Sequence, residues 1–234
     1  MLTGATVLLS GIAHGYSGFG GALLMVPLLG LFLSPVEAVA VTNVAAVFGQ
    51  LSVARQAVRN AVWAECLPFI VAIAVAMPLG VMVLVKSEAE LLRRIVGAST
   101  LTAATILGLG WTYKGARTVL TSGFFGGLCG FLAGATGQGG PPAVVYFMAA
   151  PVEARQQRGS LIAAITGMVF VTLAFLAVGG ALSRHSLLLG CLVGLPYIVA
   201  VRTGNRLFEI LPKQNYRRAT LLLLFAAGLA ALFR

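Results

Sequence analysis

Long stretches without a charged side chain constrain this chain more than any other feature of its sequence. Only 9% of the 234 residues are Asp, Glu, Lys or Arg, whereas a soluble domain contains about 25%. Lipid must therefore be the main solvent. A helix that crosses a bilayer needs roughly 20 apolar residues, so most of these stretches predict membrane-spanning helices. The uncharged stretches are 1–36, 38–54, 66–85, 95–113, 118–152, 159–183, 186–201 and 219–233.

The net charge of +10 comes from basic residues in short clusters between the apolar stretches. This distribution is typical of the cytoplasmic loops of membrane proteins, so the expected partner is a lipid bilayer and not a nucleic acid. The three cysteines are scattered and predict neither a disulfide nor a metal site. No nucleotide-binding motif is present, and we expect no cofactor.

Two copies of a glycine-rich motif divide the chain into related parts. Residues 15–21 and 134–140 both read G-x-[S/T]-G-x-G-G, and P-V-E-A follows each copy at 35–38 and 151–154. The shared order and similar spacing predict an internal duplication. The predicted halves are 1–115 and 116–234.

The stretch that carries each glycine motif has an unusual length. Residues 2–33 would form a helix of about 48 Å, against a hydrocarbon core of about 30 Å, and residues 118–150 are similar. Both stretches are too short for two crossings. Because glycine near the middle breaks a helix, we favour a re-entrant hairpin with its tip near mid-membrane. The alternative is a single tilted, broken span, which gives eight crossings in all.

The predicted fold class is an all-α integral membrane protein in which each half holds one glycine-motif hairpin and three transmembrane helices. Three crossings turn the second half upside down, which favours an inverted repeat. With hairpins, eleven Lys and Arg face one side and five the other, whereas eight plain spans give ten and six. Both versions place the N-terminus outside. The predicted full spans are 38–54, 62–85, 93–111, 159–181, 186–205 and 215–233.

The two glycine motifs form the predicted anion site. Bare backbone N–H groups can make a nest around an anion, and half-helix N-termini near Gly21 and Gly140 add partial positive charge. Ser17 and Thr136 offer hydroxyls at equivalent positions, and Gln138 offers an amide. The alternative is that the glycines only let helices pack closely. The predicted substrate-binding residues here are Gly15, Ser17, Gly18, Gly20, Gly21, Gly134, Thr136, Gly137, Gln138, Gly139 and Gly140.

Further polar residues near the motifs are candidates for the site. Asn43 lies within an apolar stretch, where polar groups either serve function or bond between helices. Arg158 lies opposite the Thr42–Asn43 pair in the repeat alignment and either contacts the anion or anchors a loop. Three residues are candidates for proton coupling: His14, Glu37 and Glu153. For the two glutamates the alternative is a role in starting helices.

The paired motifs and the P-x-E-A helix entries resemble the TauE/SafE family of sulfite exporters over essentially the whole chain. The resemblance implies a permease of the bacterial inner membrane that moves a small sulfur-containing anion, such as sulfite, sulfoacetate or another sulfonate. Ala22 and Pro141 stand where family members often have a third glycine, so the nest differs in shape. A homodimer is among the partners considered.

Two other functions compete with a secondary transporter. A passive anion channel fits the same sequence, but a channel never concentrates its ion. The residues Gly15-Tyr16-Ser17-Gly18 also read G-x-S-G, which is the nucleophile motif of intramembrane serine proteases. Such a serine needs a histidine base within hydrogen-bond reach, and a protease gives no reason for a duplicated motif. We therefore do not expect an enzyme.

Overall fold

A computed structural model shows an all-helical protein. It describes residues 2–17, 19–148 and 150–210, together with 225–226 and 228–229. The described helices are α1 (Leu2–Ser17), α2 (Gly20–Leu29), α3 (Pro35–Asn60), α4 (Trp63–Lys86), α5 (Ala89–Leu109), α6 (Val119–Thr136), α7 (Gly140–Phe147), α8 (Ala154–Val178) and α9 (Arg184–Ile210).

Local sequence signals explain where several helices begin. Ser34 caps α3 by accepting a hydrogen bond from the backbone N–H of Glu37, while the Glu37 carboxylate accepts one from the backbone N–H of Ser34. Thr118 and Thr121 make the same reciprocal pair at the start of α6. These pairs satisfy backbone donors that have no partner within the helix. The first of them assigns Glu37 the helix-starting role that was the alternative to proton coupling.

Both glycine motifs interrupt the helical backbone. The first motif separates α1 from α2, and the second separates α6 from α7. α6 ends at Gly137, whose φ of 71° lies in the left-handed region that favours glycine. The Ser17 side chain and Gly18 lie outside the described part of the chain.

After each break the second helix runs back beside the first. In the first half, Val7 of α1 shares a buried cluster with Met25 and Leu29 of α2. In the second half, the Tyr146 hydroxyl of α7 lies 2.7 Å from the Ser122 hydroxyl near the start of α6. Each motif is therefore the tip of a pair of neighbouring antiparallel helices.

α4 and α6 are parallel and touch along a line of small residues. Gly126, Gly130 and Gly134 of α6 lie against the backbone of α4, at Phe69, Ile73 and Met77 respectively. A methyl group on Gly134 would lie only 2.7 Å from the Met77 carbonyl oxygen. Small residues at such spacing allow the close backbone approach that drives helix packing in lipid.

α1 and α9 repeat this arrangement with residues from the opposite parts of the sequence. Gly11 lies against Ala200, Gly15 lies against the carbonyl of Val201, and Gly204 lies against that of Ile12. The glycine-motif helix of the first predicted half thus packs on the last described long helix of the second. Conversely, α6 of the second predicted half packs on α4 of the first.

The described long helices other than α5 therefore form two bundles, and within each bundle the helices run parallel to one another. The first bundle contains α1, α3 and α9, and the second contains α4, α6 and α8. Gly190 and Gly194 of α9 follow Val44 and Phe48 of α3 in the same direction. The second bundle is held in part by the Ser160 hydroxyl of α8, which accepts the backbone N–H of Val62 at the start of α4 (2.9 Å).

The two bundles meet where α3 and α8 cross in opposite directions. The Thr166 hydroxyl of α8 donates to the side-chain oxygen of Gln50 in α3 at 3.1 Å. Nearer the end of α3, Gly159 of α8 lies against Asn60, where an added methyl group would be 2.7 Å from the Asn60 Cβ. The matched helices α3 and α8 therefore point in opposite directions.

Five of the described helices are long and apolar enough to cross a membrane: Pro35–Arg55, Trp63–Lys86, Val119–Thr136, Arg155–Val178 and Arg184–Leu207. α4 exposes Leu67, Val71, Val75 and Leu79, one turn apart, as expected for a face in contact with lipid. The chain is thus a multi-pass membrane protein.

Two predicted spans differ from this set. The predicted span 93–111 corresponds to α5, which is not among the five, because Arg93 and Arg94 at its start and four hydroxyl residues at 99, 100, 102 and 105 lower its apolarity. The predicted span 215–233 lies largely outside the described residues.

Candidate functional site

A small buried cavity lies where the two helix breaks meet. The tips are in contact, since a methyl group on Gly140 would lie 3.5 Å from the Phe19 carbonyl oxygen. The cavity has a volume of about 20 Å³, which is room for roughly one water molecule. It is lined by His14, Phe19, Ala22, Leu23, Thr42, Asn43, Ala46, Gln50, Gly137, Gln138, Gly140, Ile165, Met168, Val169 and Tyr197.

Two polar side chains of the cavity wall, His14 and Gln50, belong to a hydrogen-bond chain that continues to Thr166 outside the wall. His14 of α1 and Gln50 of α3 are buried, and the Nε2 atoms of the two side chains lie 3.4 Å apart. Gln50 in turn accepts from the Thr166 hydroxyl, which also lies 2.7 Å from the Ile162 carbonyl oxygen. The chain therefore links α1 through α3 to α8 of the other bundle.

Gln138 also lines the cavity and is held by α5. Its side-chain oxygen accepts from the hydroxyls of Ser99 (2.9 Å) and Thr100 (3.0 Å). Its Nε2 lies 2.9 Å from the Thr100 hydroxyl oxygen, and that hydroxyl also lies 2.7 Å from the Val96 carbonyl oxygen. The amide is thus fixed in place by a helix outside both hairpins.

Thr42 and Asn43 bring two further polar groups to the cavity. The Asn43 amide donates to the Val39 carbonyl of its own helix at 2.9 Å. The Thr42 hydroxyl is buried without a hydrogen-bond partner among the described residues. A buried hydroxyl without a partner is costly, and a polar ligand in the cavity would relieve that cost.

The predicted glycines have different positions. Gly137 and Gly140 line the cavity, whereas Gly15 and Gly134 pack against α9 and α4. The packing role, which was the alternative for the motif, therefore describes part of it. A side chain on either of two other glycines would crowd buried neighbours: Gly21 faces His14 and Tyr197, and Gly139 faces Cys129 and Met168.

The helices that begin after the breaks are not equivalent as anion sites. The residues before α2 and α7, Phe19 and Gly139, make no side-chain cap. α2 starts with Gly20 and Gly21, which both carry an N–H group. α7 starts with Gly140 followed by Pro141 and Pro142, and proline has no N–H. The second break therefore presents fewer backbone donors than the first.

Arg158 is not among the residues that line the cavity. Its guanidinium donates to the Asn205 side chain at 2.6 Å and to the Gly15 carbonyl at 3.4 Å. It thus connects α8 to α9 and to the end of α1. The Thr136 hydroxyl is likewise engaged locally, since it donates to the Leu132 carbonyl at 2.8 Å.

The two glutamates considered for coupling lie away from the cavity. Glu37 is partly exposed, belongs to the α3 capping pair, and lies 3.5 Å from His185 at the start of α9. Glu153 is exposed at the start of α8 and makes no side-chain cap. Of the three coupling candidates, the structure brings only His14 to the cavity wall.

Sequence reasoning missed several polar residues near the cavity, namely Tyr197, Thr166, Ser99 and Thr100. They belong to neither glycine motif, and their only signal is a polar side chain within an apolar stretch. The described residues contain no group of three or more His, Cys, Asp or Glu that could hold a metal ion.

A second, larger cavity adjoins the first at Gln138. It has a volume of about 310 Å³ and lies between α5 and the pair α6 and α7. Its wall is mostly apolar and includes Trp111, Phe125 and Pro141. Gln138 lines both cavities.

The family model described as "Sulfite exporter TauE/SafE" matches residues 3–231 of the chain. The match covers nearly the whole sequence and confirms the family resemblance of the paired motifs. No curated protein and no solved structure matches the chain.

Proposed function

The chain belongs to the TauE/SafE sulfite exporter family, a family of membrane transporters, and we propose that it is a secondary transporter of a small sulfur-containing anion. The proposed substrates are sulfite, sulfoacetate or another sulfonate, and the proposed location is the bacterial inner membrane. The observation that carries the proposal is the small cavity where both glycine-motif breaks meet, whose mainly apolar wall carries the polar side chains of His14, Thr42, Asn43, Gln50, Gln138 and Tyr197.

The chemistry of the cavity suits an anion that is bound without a permanent cation. Gln50 of α3 and Gln138 of the second motif supply amides, and Thr42 supplies a hydroxyl that has no partner among the described residues. Backbone N–H groups at the start of α2 add donors where the helix dipole is positive. Such donors replace the water around an oxyanion.

The bundle arrangement supports alternating access. Matched helices run in opposite directions in the two bundles, which is the geometry expected of an inverted repeat. A sulfonate is larger than the room in the cavity, so we propose that this conformation is closed around the site. Movement of one bundle against the other along α3 and α8 would admit the anion from either side.

We propose that each glycine-motif pair is a re-entrant hairpin and that the N-terminus is periplasmic. The return of α2 along α1, and of α7 along α6, supports this arrangement. The basic residues also favour it slightly, since this arrangement would place eleven Lys and Arg on the cytoplasmic side and five outside, against ten and six for eight plain spans. A homodimer remains a prediction.

Flux in proteoliposomes tests the proposed function. The purified protein is assayed with sulfite, thiosulfate, sulfoacetate, sulfate and carboxylates without sulfur. We expect flux of at least one sulfur anion and accumulation of that anion against its gradient when a coupling gradient is imposed. Flux of carboxylates alone would overturn the substrate class, and flux that never exceeds equilibrium under any gradient would indicate a channel.

A further inference from the structure

We infer that anion transport by this protein is coupled to protons at His14, and that Gln50 and Thr166 communicate the protonation state of His14 to the second bundle. The inference rests on the proposed function and specifies its coupling ion. Three observations carry it: the charges absent from the described cavity wall, the reversible hydrogen-bond chain, and the asymmetry between the two hairpins.

The described cavity wall holds no Asp, Glu, Lys or Arg, and its titratable residues are His14 and Tyr197. An anion in a site of low dielectric is strongly disfavoured without a positive partner. Protonated His14 is the one group on this wall that can supply a full positive charge. Proton binding and anion binding must therefore favour each other, and this linkage is reciprocal.

The groups that face His14 in the described part of the chain carry no positive charge of their own that could pair with the anion. Gln50 faces it from α3, Gly21 from α2, and the Tyr197 ring from α9 at a centroid distance of 5.9 Å. Arg158 of α8 bonds to the carbonyl of Gly15, the next residue. None of the described groups that face His14 is a carboxylate, so the bound anion is the partner that stabilises protonated His14.

The hydrogen-bond chain can be satisfied in both protonation states. With neutral His14, the Gln50 amide donates to the ring nitrogen, and the Thr166 hydroxyl donates to the Gln50 oxygen. With protonated His14, the ring N–H donates, so the Gln50 amide must turn over and donate to the Thr166 oxygen. The Thr166 hydrogen then goes to the Ile162 carbonyl, which is already 2.7 Å away.

This reversal crosses the boundary between the bundles. Gln50 belongs to α3 of the first bundle and Thr166 to α8 of the second. Protonation of His14 therefore changes a hydrogen bond at the surface along which the bundles must move. Gln50 and Thr166 are positioning residues for this step, since they act on the anion through His14.

The second hairpin lacks an equivalent proton site. Ala133 occupies the position that corresponds to His14 in the repeat, and Gln138 is held by Ser99 and Thr100 instead of a titratable group. The asymmetry predicts one proton per transport cycle.

The test uses sulfoacetate, because its charge stays constant near neutral pH, in proteoliposomes that contain a pH-sensitive dye. We expect sulfoacetate uptake to carry protons inward, and an inward proton gradient to drive accumulation. The KM should rise toward about tenfold per pH unit once His14 loses its proton. His14→Gln should abolish proton movement and flatten the pH profile, while His185→Gln, at an exposed histidine, should match the wild type.

Thr166 variants test the positioning role separately. Thr166→Val removes the hydroxyl and should shift the pH profile of KM, while Thr166→Ser should restore the wild-type profile. Thr105→Val, which removes an exposed hydroxyl bonded to Leu101 of its own helix, is the matched control.

Three outcomes would decide against these ideas, and they are distinguishable. Sulfoacetate flux without proton movement, or unchanged coupling in His14→Gln, overturns the inference and leaves the proposed function intact. An unchanged pH profile in Thr166→Val overturns the role of the hydrogen bonds that link His14, Gln50 and Thr166. Absence of flux for every anion of the panel overturns the proposed function itself.

Discussion

Gly137 offers a sharp test of the proposal that the helix break in the second motif shapes the site. Its φ of 71° costs a residue with a side chain about 1–2 kcal/mol. A methyl group there would also lie 3.2 Å from Cγ2 of Val26 and 3.2 Å from Cγ1 of Val39. Crowding in a packed core costs about 1–3 kcal/mol. We therefore expect Gly137→Ala to lower the free energy of unfolding by about 2–5 kcal/mol.

Gly180 provides a matched control for the backbone cost. Its φ is 69°, nothing lies within 4 Å of a methyl group built on it, and it belongs to the turn after α8. Gly180→Ala should therefore show only the backbone term, about 1–2 kcal/mol. The difference between the two variants isolates the displacement of α2 and α3 at the cavity wall.

Unfolding in detergent and flux in proteoliposomes measure the two consequences. If displacement of the wall weakens anion binding by about 1.4 kcal/mol, flux at low substrate concentration falls about tenfold in Gly137→Ala. Gly180→Ala should transport like the wild type. Adding Val39→Ala to Gly137→Ala should recover part of the flux by making room for the methyl group. Equal stability losses with normal flux in both variants would refute the reasoning.

The other predictions concern helix packing, a partly buried ion pair and Gln138 in the cavity wall. Gly130→Leu should force α6 from α4 and prevent folding, whereas Gly123→Leu, at a position with nothing within 4 Å, should fold normally; detergent-solubilised yield and size exclusion distinguish them. Arg117→Gln should lower stability by about 2 kcal/mol, because it leaves the Glu65 carboxylate, 2.6 Å from the guanidinium, without its partner. The double variant Glu65→Gln/Arg117→Gln should be more stable than Arg117→Gln alone, and equal stability of the two would contradict this. Gln138→Glu should raise the KM for anions strongly by adding a negative charge to the cavity; an unchanged KM would remove Gln138 from the site.

Some features of the fold followed directly from local sequence. The uncharged stretches identified a membrane protein because lipid penalises charge wherever a segment lies in the chain. The glycine motifs located both helix breaks, since the effect of glycine on a helix is local. The Ser34 and Glu37 side chains likewise show why α3 begins where it does, because a capping pair involves residues three positions apart.

Parts of the candidate site could not be predicted in this way. Gln138 was identified because it lies within a motif, but its anchors in α5 are 38 and 39 positions away. The second motif also has fewer backbone donors than its likeness to the first suggested, because Pro141 and Pro142 open α7. A repeat alignment compares residue types, whereas the strength of an anion nest depends on which N–H groups remain.

The sequence by itself determined the membrane environment and the positions of the two breaks, since each depends on residues close together in the chain, and the paired motifs indicated the family. Only the tertiary structure decided that α9 of the second predicted half packs on α1 of the first, and that α4 of the first packs on α6 of the second. Only the tertiary structure also joins His14 to Gln50, 36 positions later, and Gln50 to Thr166, 116 positions beyond. The physical reason is that the sequence shows which helix faces carry small residues but not which distant helix each face packs against.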